Sequence, residues 1–232
     1  MARVAESLQS AAARLPPALA GWFAAQGWVP HPHQLELLAA TDDTLLIAPT
    51  GGGKTLAGFL PTLADLAAGD HAGLHTLYVS PLKALTHDIA RNLSRPVNDL
   101  CLNIRIEDRT GDTGSARRAR QRVDPPQILL TTPESLALML SYPEAPRIFG
   151  NLQRVVIDEI HALAEGKRGD QLMLGLARLR SLAPKVQVAA LSATVEDPDA
   201  LAQYLGGARI VQADPGPAPD IAMLDTALPP PW

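Results

Sequence analysis

The chain holds a single cysteine, Cys101. One thiol excludes a disulfide framework and a cysteine-based zinc site within the chain, and it fits a reducing compartment. No apolar run approaches the roughly 18 to 20 residues that a membrane-spanning helix needs. The N-terminal stretch MARVAESLQSAAARL is alanine-rich with two arginines, yet Glu6, Ser7, Gln9 and Ser10 interrupt it, so no signal-peptide core forms. A cytoplasmic location without a membrane partner is expected. An excess of positive charge is also missing. The chain has 20 Lys and Arg against 24 Asp and Glu, a formal net charge of −4. Any contact with nucleic acid must therefore come from local donors at loop ends, not from a general basic surface.

What is present is an ordinary globular balance, with 232 residues, 47% hydrophobic and 19% charged. A chain of this length can bury roughly 70% of its unfolded surface as one large domain with extensions. Residues 1–40 read as helical, broken at Pro16-Pro17 and again around Pro30 and Pro32, with Val4, Leu8, Ala11 and Leu15 on one stripe. Strand candidates follow at 44–48, 75–80, 102–106, 127–131, 154–158, 186–191 and 208–211. Helical patterns between them include 54–68, 83–94, 134–141, 170–182 and 197–205. Continuous apolar strands alternating with helices predict an α/β fold, a mainly parallel sheet with helices on both faces. The last twenty residues are rich in proline and alanine and read as a linker or a packed tail.

The strongest chemical signal is APTGGGKT, Ala48 to Thr55, which follows a strand and opens a helix. That is the context of a P-loop. Gly51, Gly52 and Gly53 let the backbone wrap phosphate oxygens and turn its amides inward, with Thr50 leading into the turn. Lys54 places a cation on the terminal phosphates, the Thr55 hydroxyl is a ligand for Mg²⁺, and the helix start adds its positive dipole end. The pattern asks for Gly at its first position, where this chain has Ala48. The alternative is a glycine turn that merely caps a helix. The second signal is VVIDEIH, Val155 to His161, an apolar strand ending in two acids. Asp158 is the candidate for holding Mg²⁺, and Glu159 the candidate for orienting and deprotonating an attacking water. Its alternative is a solvated acidic turn. LSAT, Leu191 to Thr194, supplies the hydroxyls of Ser192 and Thr194 at another strand end; taken alone it is a generic turn.

Together these segments resemble the superfamily 2 helicases of the Asp-Glu-X-His box type. APTGGGKT is similar to their motif I, DEIH to motif II, SAT to motif III, YVSPLKAL to motif Ia and TTPESL to motif Ib. Within that group the chain looks most like the large helicase-related (Lhr) subfamily, and within it the ligase-associated bacterial branch. The resemblance covers about residues 20–212. It implies a RecA-like P-loop NTPase domain at 41–212, preceded by a helical segment (1–40) whose Gln34 reads the adenine edge, and followed by a linker (213–232) toward a second RecA-like domain. It also implies ATP and Mg²⁺ as cofactors, and a DNA translocase or helicase moving 3′ to 5′. Its polymer would be single-stranded DNA, or DNA–RNA hybrids, with repair ligase or nuclease proteins as further partners. No Gln-X-X-Gly-Arg-X-X-Arg pattern, which the second domain of such motors carries, occurs in these residues. The chain is therefore expected to be one half of a motor, and by itself to hydrolyse ATP slowly and unwind nothing.

Three loops at strand ends suit contacts to a phosphate backbone without base readout. They offer Ser80, Pro81 and Lys83; Arg109, Thr110 and Gly111; and Thr132, Pro133 and Glu134. Helix capping by Thr132 is the competing account. His161 is expected to couple the acidic motif to Ser192 or Thr194. Trp28 is the candidate to stack on adenine, with core packing the default for Trp22 and Phe23. Arg117, Arg118, Arg120 and Arg122 read as a solvated helix face, with DNA contact as the minor alternative. His71 and His75 fall in a loop, and no metal is expected there. Arg168, Gly169 and Asp170 follow the acidic motif without an assigned job. The competing functions are an RNA helicase domain of the same superfamily and an ATP-dependent switch or scaffold that does not translocate. A small-molecule kinase is a third, for which TTPESL and SAT have no role.

Overall fold

The computed structural model describes residues 14–193 and 195–214, with the side chains of 83–85 and 87 left aside. The stripe at Val4, Leu8 and Ala11, Thr194 and most of the 213–232 tail lie outside the described residues. Among the described residues two helices come first, α1 (Pro17–Gln26) and α2 (Pro32–Leu38). Each has proline at its first position, where a missing N–H costs nothing and the fixed φ is already helical. Then β1 (Thr44–Ile47), α3 (Lys54–Ala68), β2 (Thr76–Val79), α4 (Lys83–Asp99), β3 (Ile106–Arg109) and α5 (Ser115–Val123) follow. The remainder is β4 (Ile128–Thr131), α6 (Pro133–Leu140), α7 (Ala145–Phe149), β5 (Arg154–Ile157), α8 (Ile160–Ala164), α9 (Lys167–Leu182), β6 (Gln187–Ser192), α10 (Pro198–Tyr204) and β7 (Arg209–Gln212).

The strands form one sheet in the order β3-β4-β2-β5-β6-β1-β7, and all six pairings are parallel. Period-two alternation sends successive residues to opposite faces. Leu45, Ile47, Leu77, Val79, Val155 and Ile157 pack with Leu136 and Met139 of α6, Phe149 of α7, Leu163 of α8 and Leu172, Leu176 and Leu179 of α9. Leu46, Tyr78, Leu130, Val156 and Leu191 face the other way, onto Ala57 and Phe59 of α3 and Ile89 and Leu93 of α4. A third cluster docks α1 and α2, through Leu19, Trp22, Phe23 and Leu35, on Leu60 and Leu63 of α3. Each fully buried aliphatic side chain contributes about 1.5–3 kcal/mol. A parallel sheet places every loop that follows a strand on one edge, so the two chemistry-bearing segments and the three polar loops share that edge.

One strand departs from the sequence reading. The apolar run 102–106 leaves Leu102 and Ile104 half-buried outside the ladder, and the edge strand is instead the polar segment Ile106–Arg109. Its buried Glu107 accepts hydrogen bonds from Arg120 (2.5 Å) and Gln121 (2.9 Å), and Asp108 pairs with Arg117 at 2.9 Å. Apolar patterning cannot find a strand whose buried side chains are ionised and paired. The same contacts add to the reading of α5: Arg117 and Arg120 remain 42% exposed, as on a solvated face, and also pair with Glu107 and Asp108 of β3.

Candidate nucleotide and nucleic-acid sites

The glycine loop connects β1 to α3. Gly51 (φ 81°) and Gly53 (φ 73°) sit in the left-handed region that favours glycine. A Cβ on Gly53 would lie 2.8 Å from Gln34 Nε2, and one on Gly52 would lie 3.0 Å from the Pro49 carbonyl oxygen. Ala48 has no positive φ; its N–H donates to the Ser192 carbonyl and its methyl is buried, so glycine is not required there. Gly58 lets α3 approach the sheet, where an added Cβ would meet Val156 and Leu191 at 3.0 and 3.1 Å. Lys54 opens α3 and is 8% exposed. Its Nζ lies 3.8 Å from Glu159 Oε1 and has no hydrogen-bond partner among the described residues. A buried ammonium in that state is costly unless an anion completes it.

The acidic segment arrives from β5, two strands from β1. Asp158 is buried; its Oδ2 accepts a short hydrogen bond from the Tyr78 hydroxyl and its Oδ1 accepts the Glu159 N–H at 3.0 Å. Burial raises the Tyr78 pKa, and the neighbouring Asp158 charge raises it further, so the phenol stays a donor. Glu159 has φ 47° and ψ 47°, a left-handed backbone on a non-glycine residue, the kind of local strain that clusters at working sites. His161 Nδ1 is 2.9 Å from Ser192 Oγ and 3.5 Å from Glu159 Oε2. Strand register makes this meeting possible, because Ile157 pairs with Ala190 and Ile47 with Ser192.

No group of three or more His, Cys, Asp or Glu among the described residues forms a metal cage. Thr55 and Asp158 do offer the hard oxygens that Mg²⁺ takes when phosphates and water complete its shell, so the donor set fits that ion. Around the glycine loop, Gln34 Oε1 accepts the His31 N–H at 2.9 Å while its Nε2 lies 3.5 Å from the Gly53 carbonyl oxygen. The His33 ring N–H donates to the Gly52 carbonyl at 2.9 Å, and burial holds the His33 pKa below its usual value. Sequence reasoning missed His33 and Tyr78; their neighbours Gln34 and Ser80 were the only signal. His31, Pro32, His33 and Gly52 border a hollow of about 510 Å³, and Trp28, 47% exposed and edge-on to Trp22, borders another of about 230 Å³ with Thr55. A larger hollow of about 650 Å³, lined by His71, His75 and Arg154, lies at the opposite sheet edge.

The three polar loops lie over β2, β3 and β4, but several of their side chains point inward. Arg109 is 3% exposed. Its guanidinium donates to the Arg118 carbonyl and the Tyr142 hydroxyl, so it is a structural tie and not the surface donor that was expected. Burial lowers its pKa. The side chains of Ser80, Thr110 and Thr132 are buried too, whereas Gly111 and Glu134 are exposed. Thr132 Oγ1 accepts the Ser135 N–H at 3.4 Å, capping α6 behind Pro133. Burial pushes the Glu134 carboxyl up, but the hydrogen bond from Arg168 and those from the loop outweigh it and hold the pKa below the usual range. Among the described residues no helix is long and apolar enough to cross a membrane.

Comparison with known proteins matches residues 31–201 to the DEAD/DEAH box helicase family model. The chain is 39% identical to ATP-dependent helicase Lhr-Core protein 2 of Thermococcus barophilus, over 72% of this chain and 21% of that protein. It is 41% identical to the Lhr helicase/probable uracil glycosylase of Mycolicibacterium smegmatis, over 80% of this chain and 13% of that protein. The chain thus spans about a fifth or less of these relatives. The structure of Mycobacterium smegmatis helicase Lhr bound to single-stranded DNA and AMP-PNP superposes with a TM-score of 0.80 at 37% identity, covering 92% of this chain and 31% of that one. A DEAD-box helicase bound to single-stranded RNA shares the fold at 20% identity and a TM-score of 0.73.

Proposed function

Because the chain belongs to the DEAD/DEAH box helicase family, we propose that it is the ATP-binding and ATP-hydrolysing motor domain of an Lhr-type DNA helicase, working on single-stranded DNA together with a second RecA-like domain. The observation that carries this reading is the buried Lys54 ammonium, which has no hydrogen-bond partner among the described residues and faces Glu159 across the glycine loop. Triphosphate oxygens would complete it. The amides of residues 50–53 and the N-terminus of α3 would hold the remaining phosphate charge. Gln34 and Trp28 would contact adenine. Thr55 and Asp158 would hold Mg²⁺, which neutralises charge on the phosphate oxygens. Tyr78 fixes the Asp158 carboxylate. Glu159 would orient the attacking water and accept its proton, and His161 with Ser192 would link that loop to the end of β6. Residues 80–83, 110–111 and 132–134 would meet the DNA backbone, chiefly through amides and helix ends.

The experiment is Glu159→Gln in the intact protein. The amide keeps the shape and loses the base, so Mg·ATP affinity should hold while turnover falls roughly 10²–10⁴-fold. The assignment fails if affinity collapses and turnover per bound ATP stays normal. Turnover of the unsubstituted protein with single-stranded DNA, with RNA and without polymer separates the rivals: stimulation by DNA supports the reading, stimulation by RNA alone supports an RNA helicase, and stimulation by neither supports a switch.

A further inference from the structure

Arg168 lies in the first turn of α9 with its side chain 44% exposed, yet it reaches two distant loops. Its Nε donates to Glu134 Oε1 at 2.6 Å, and its Nη2 donates to the Pro81 carbonyl at 2.7 Å. Pro81 sits in the loop after β2, and Glu134 in the first turn of α6 after β4. The partners are 87 and 34 residues away in sequence. The backbone beneath Arg168 is tied to the acidic loop. Glu159 directly precedes α8, and α8 leads through Gly166 (φ 99°) into α9. A Cβ on Gly169 would lie 2.3 Å from the Leu163 carbonyl oxygen and 2.6 Å from the Tyr204 hydroxyl, so the start of α9 is pressed against the end of α8. One guanidinium therefore spans the ends of β2 and β4, and its own backbone follows the end of β5 through α8.

The chemistry of the two partners decides what this span is for. Both are acceptors, a carboxylate and a carbonyl, and both stand on loops proposed to meet a phosphate backbone. Left bare, each would repel a phosphate. An exposed ion pair contributes little to stability. A planar fork that covers both acceptors, however, changes what the loops present; a lysine ammonium, whose three donors all radiate from one nitrogen, has no such fixed fork.

We propose that Arg168 is a positioning residue for DNA engagement: it masks Glu134 and the Pro81 carbonyl, and it ties both loops to the helix pair that leaves the Asp158-Glu159 turn, coupling the nucleotide site to the grip on the DNA backbone. The inference rests on the DNA-motor reading above. It is tested in the intact protein by the single-stranded DNA concentration that gives half-maximal ATPase stimulation, measured beside the KM for ATP. Arg168→Ala should raise the half-stimulating DNA concentration about fivefold or more, as expected for a coupling contact, with the KM for ATP moving far less. Arg168→Lys should fall between. Adding Glu134→Gln to Arg168→Ala should recover part of the loss, because the uncovered carboxylate is then gone. The inference is overturned if Arg168→Ala leaves the DNA dependence within about twofold, or if it moves the KM for ATP and the DNA dependence equally together with a lower unfolding midpoint, the pattern of a simple brace. An unsubstituted protein with no DNA stimulation sinks the DNA reading and this inference with it; normal stimulation with an unaffected Arg168→Ala sinks this inference alone.

Discussion

Two regions of the same sheet bury charge to a similar depth and treat it in opposite ways. Over β1, Lys54 is 8% exposed and its ammonium has no hydrogen-bond partner among the described residues. Over β3, Glu107 and Asp108 are each 8% exposed and Arg109 3%. There, Glu107 is met by Arg120 and Gln121, Asp108 by Arg117, and Arg109 by Tyr142 and the Arg118 carbonyl. Burial of charge alone therefore does not mark a ligand site. Burial with donors left over is the arrangement an anionic ligand would complete: beside the Lys54 ammonium stands only Glu159, at 3.8 Å. The β3 region is closed on itself, and the Lys54 region is a candidate cradle.

The largest effect that tests this contrast comes from Lys54→Met. Nucleotide-dependent turnover should fall roughly 10²–10³-fold, the usual loss when one preorganised donor to a charged reacting group is removed. Unfolding of the nucleotide-free protein should stay level or shift to higher denaturant, since a poorly compensated buried ammonium is gone. A marked drop in nucleotide-free stability with normal turnover would make Lys54 scaffold instead. Tyr78→Phe comes next. It keeps the ring but leaves one Asp158 oxygen without its phenol donor. A loss of about 1.5–3 kcal/mol is expected, the range for hydrogen bonds to charged groups. Denaturant titration should show it shrinking when Mg·ATP is present, since the cation then offers the carboxylate another partner. An equal loss with and without Mg·ATP would place the carboxylate outside the cradle.

The smallest effect belongs to the paired region. Arg117→Ala should cost about 0.2–1 kcal/mol, because its guanidinium is 42% exposed, and it should leave nucleotide affinity untouched. The same network carries a pH signature. Burial alone would push Glu107 up, yet the hydrogen bonds from Arg120 and Gln121 and the charges of Arg120 and Arg117 hold its pKa below the usual value of 4.5. A carboxyl lowered on folding stabilises the protein above its unfolded pKa and loses that contribution as pH falls through the folded one. Stability measured from pH 7 downward should therefore begin to lose this contribution near pH 4.5. A variant with Glu107→Gln should lack that increment. An unchanged profile would show that the β3 network is held by packing and not by charge.

Much of the candidate nucleotide site was legible in the primary structure because its signals are contiguous. Ala48 to Thr55 run straight from strand to helix, and Asp158 and Glu159 end a continuous apolar strand. The fold class was legible for the same reason, since alternating apolar strands and helices are local patterns; the helix over 54–68 matches α3 residue for residue. The misreadings share one cause. The polar segment Ile106–Arg109 does not read as a strand until α5 is folded against Glu107 and Asp108. Arg109 looks like a free cation until Tyr142, 33 positions on, takes its guanidinium.

By itself, then, the amino-acid sequence determined which segments can wrap a phosphate, which strands can be buried on both faces, and that the bulk charge does not draw in polyanions. These are properties of neighbours along the chain. Tertiary structure alone decided that Tyr78 lies against Asp158, 80 residues away, that His161 meets Ser192, 31 away, and that Arg168 bridges Pro81 and Glu134. Those meetings depend on strand order and register, set by the packing of two apolar faces and not by any local motif. A one-residue slip in β5 or β6 would turn every one of their side chains to the opposite face.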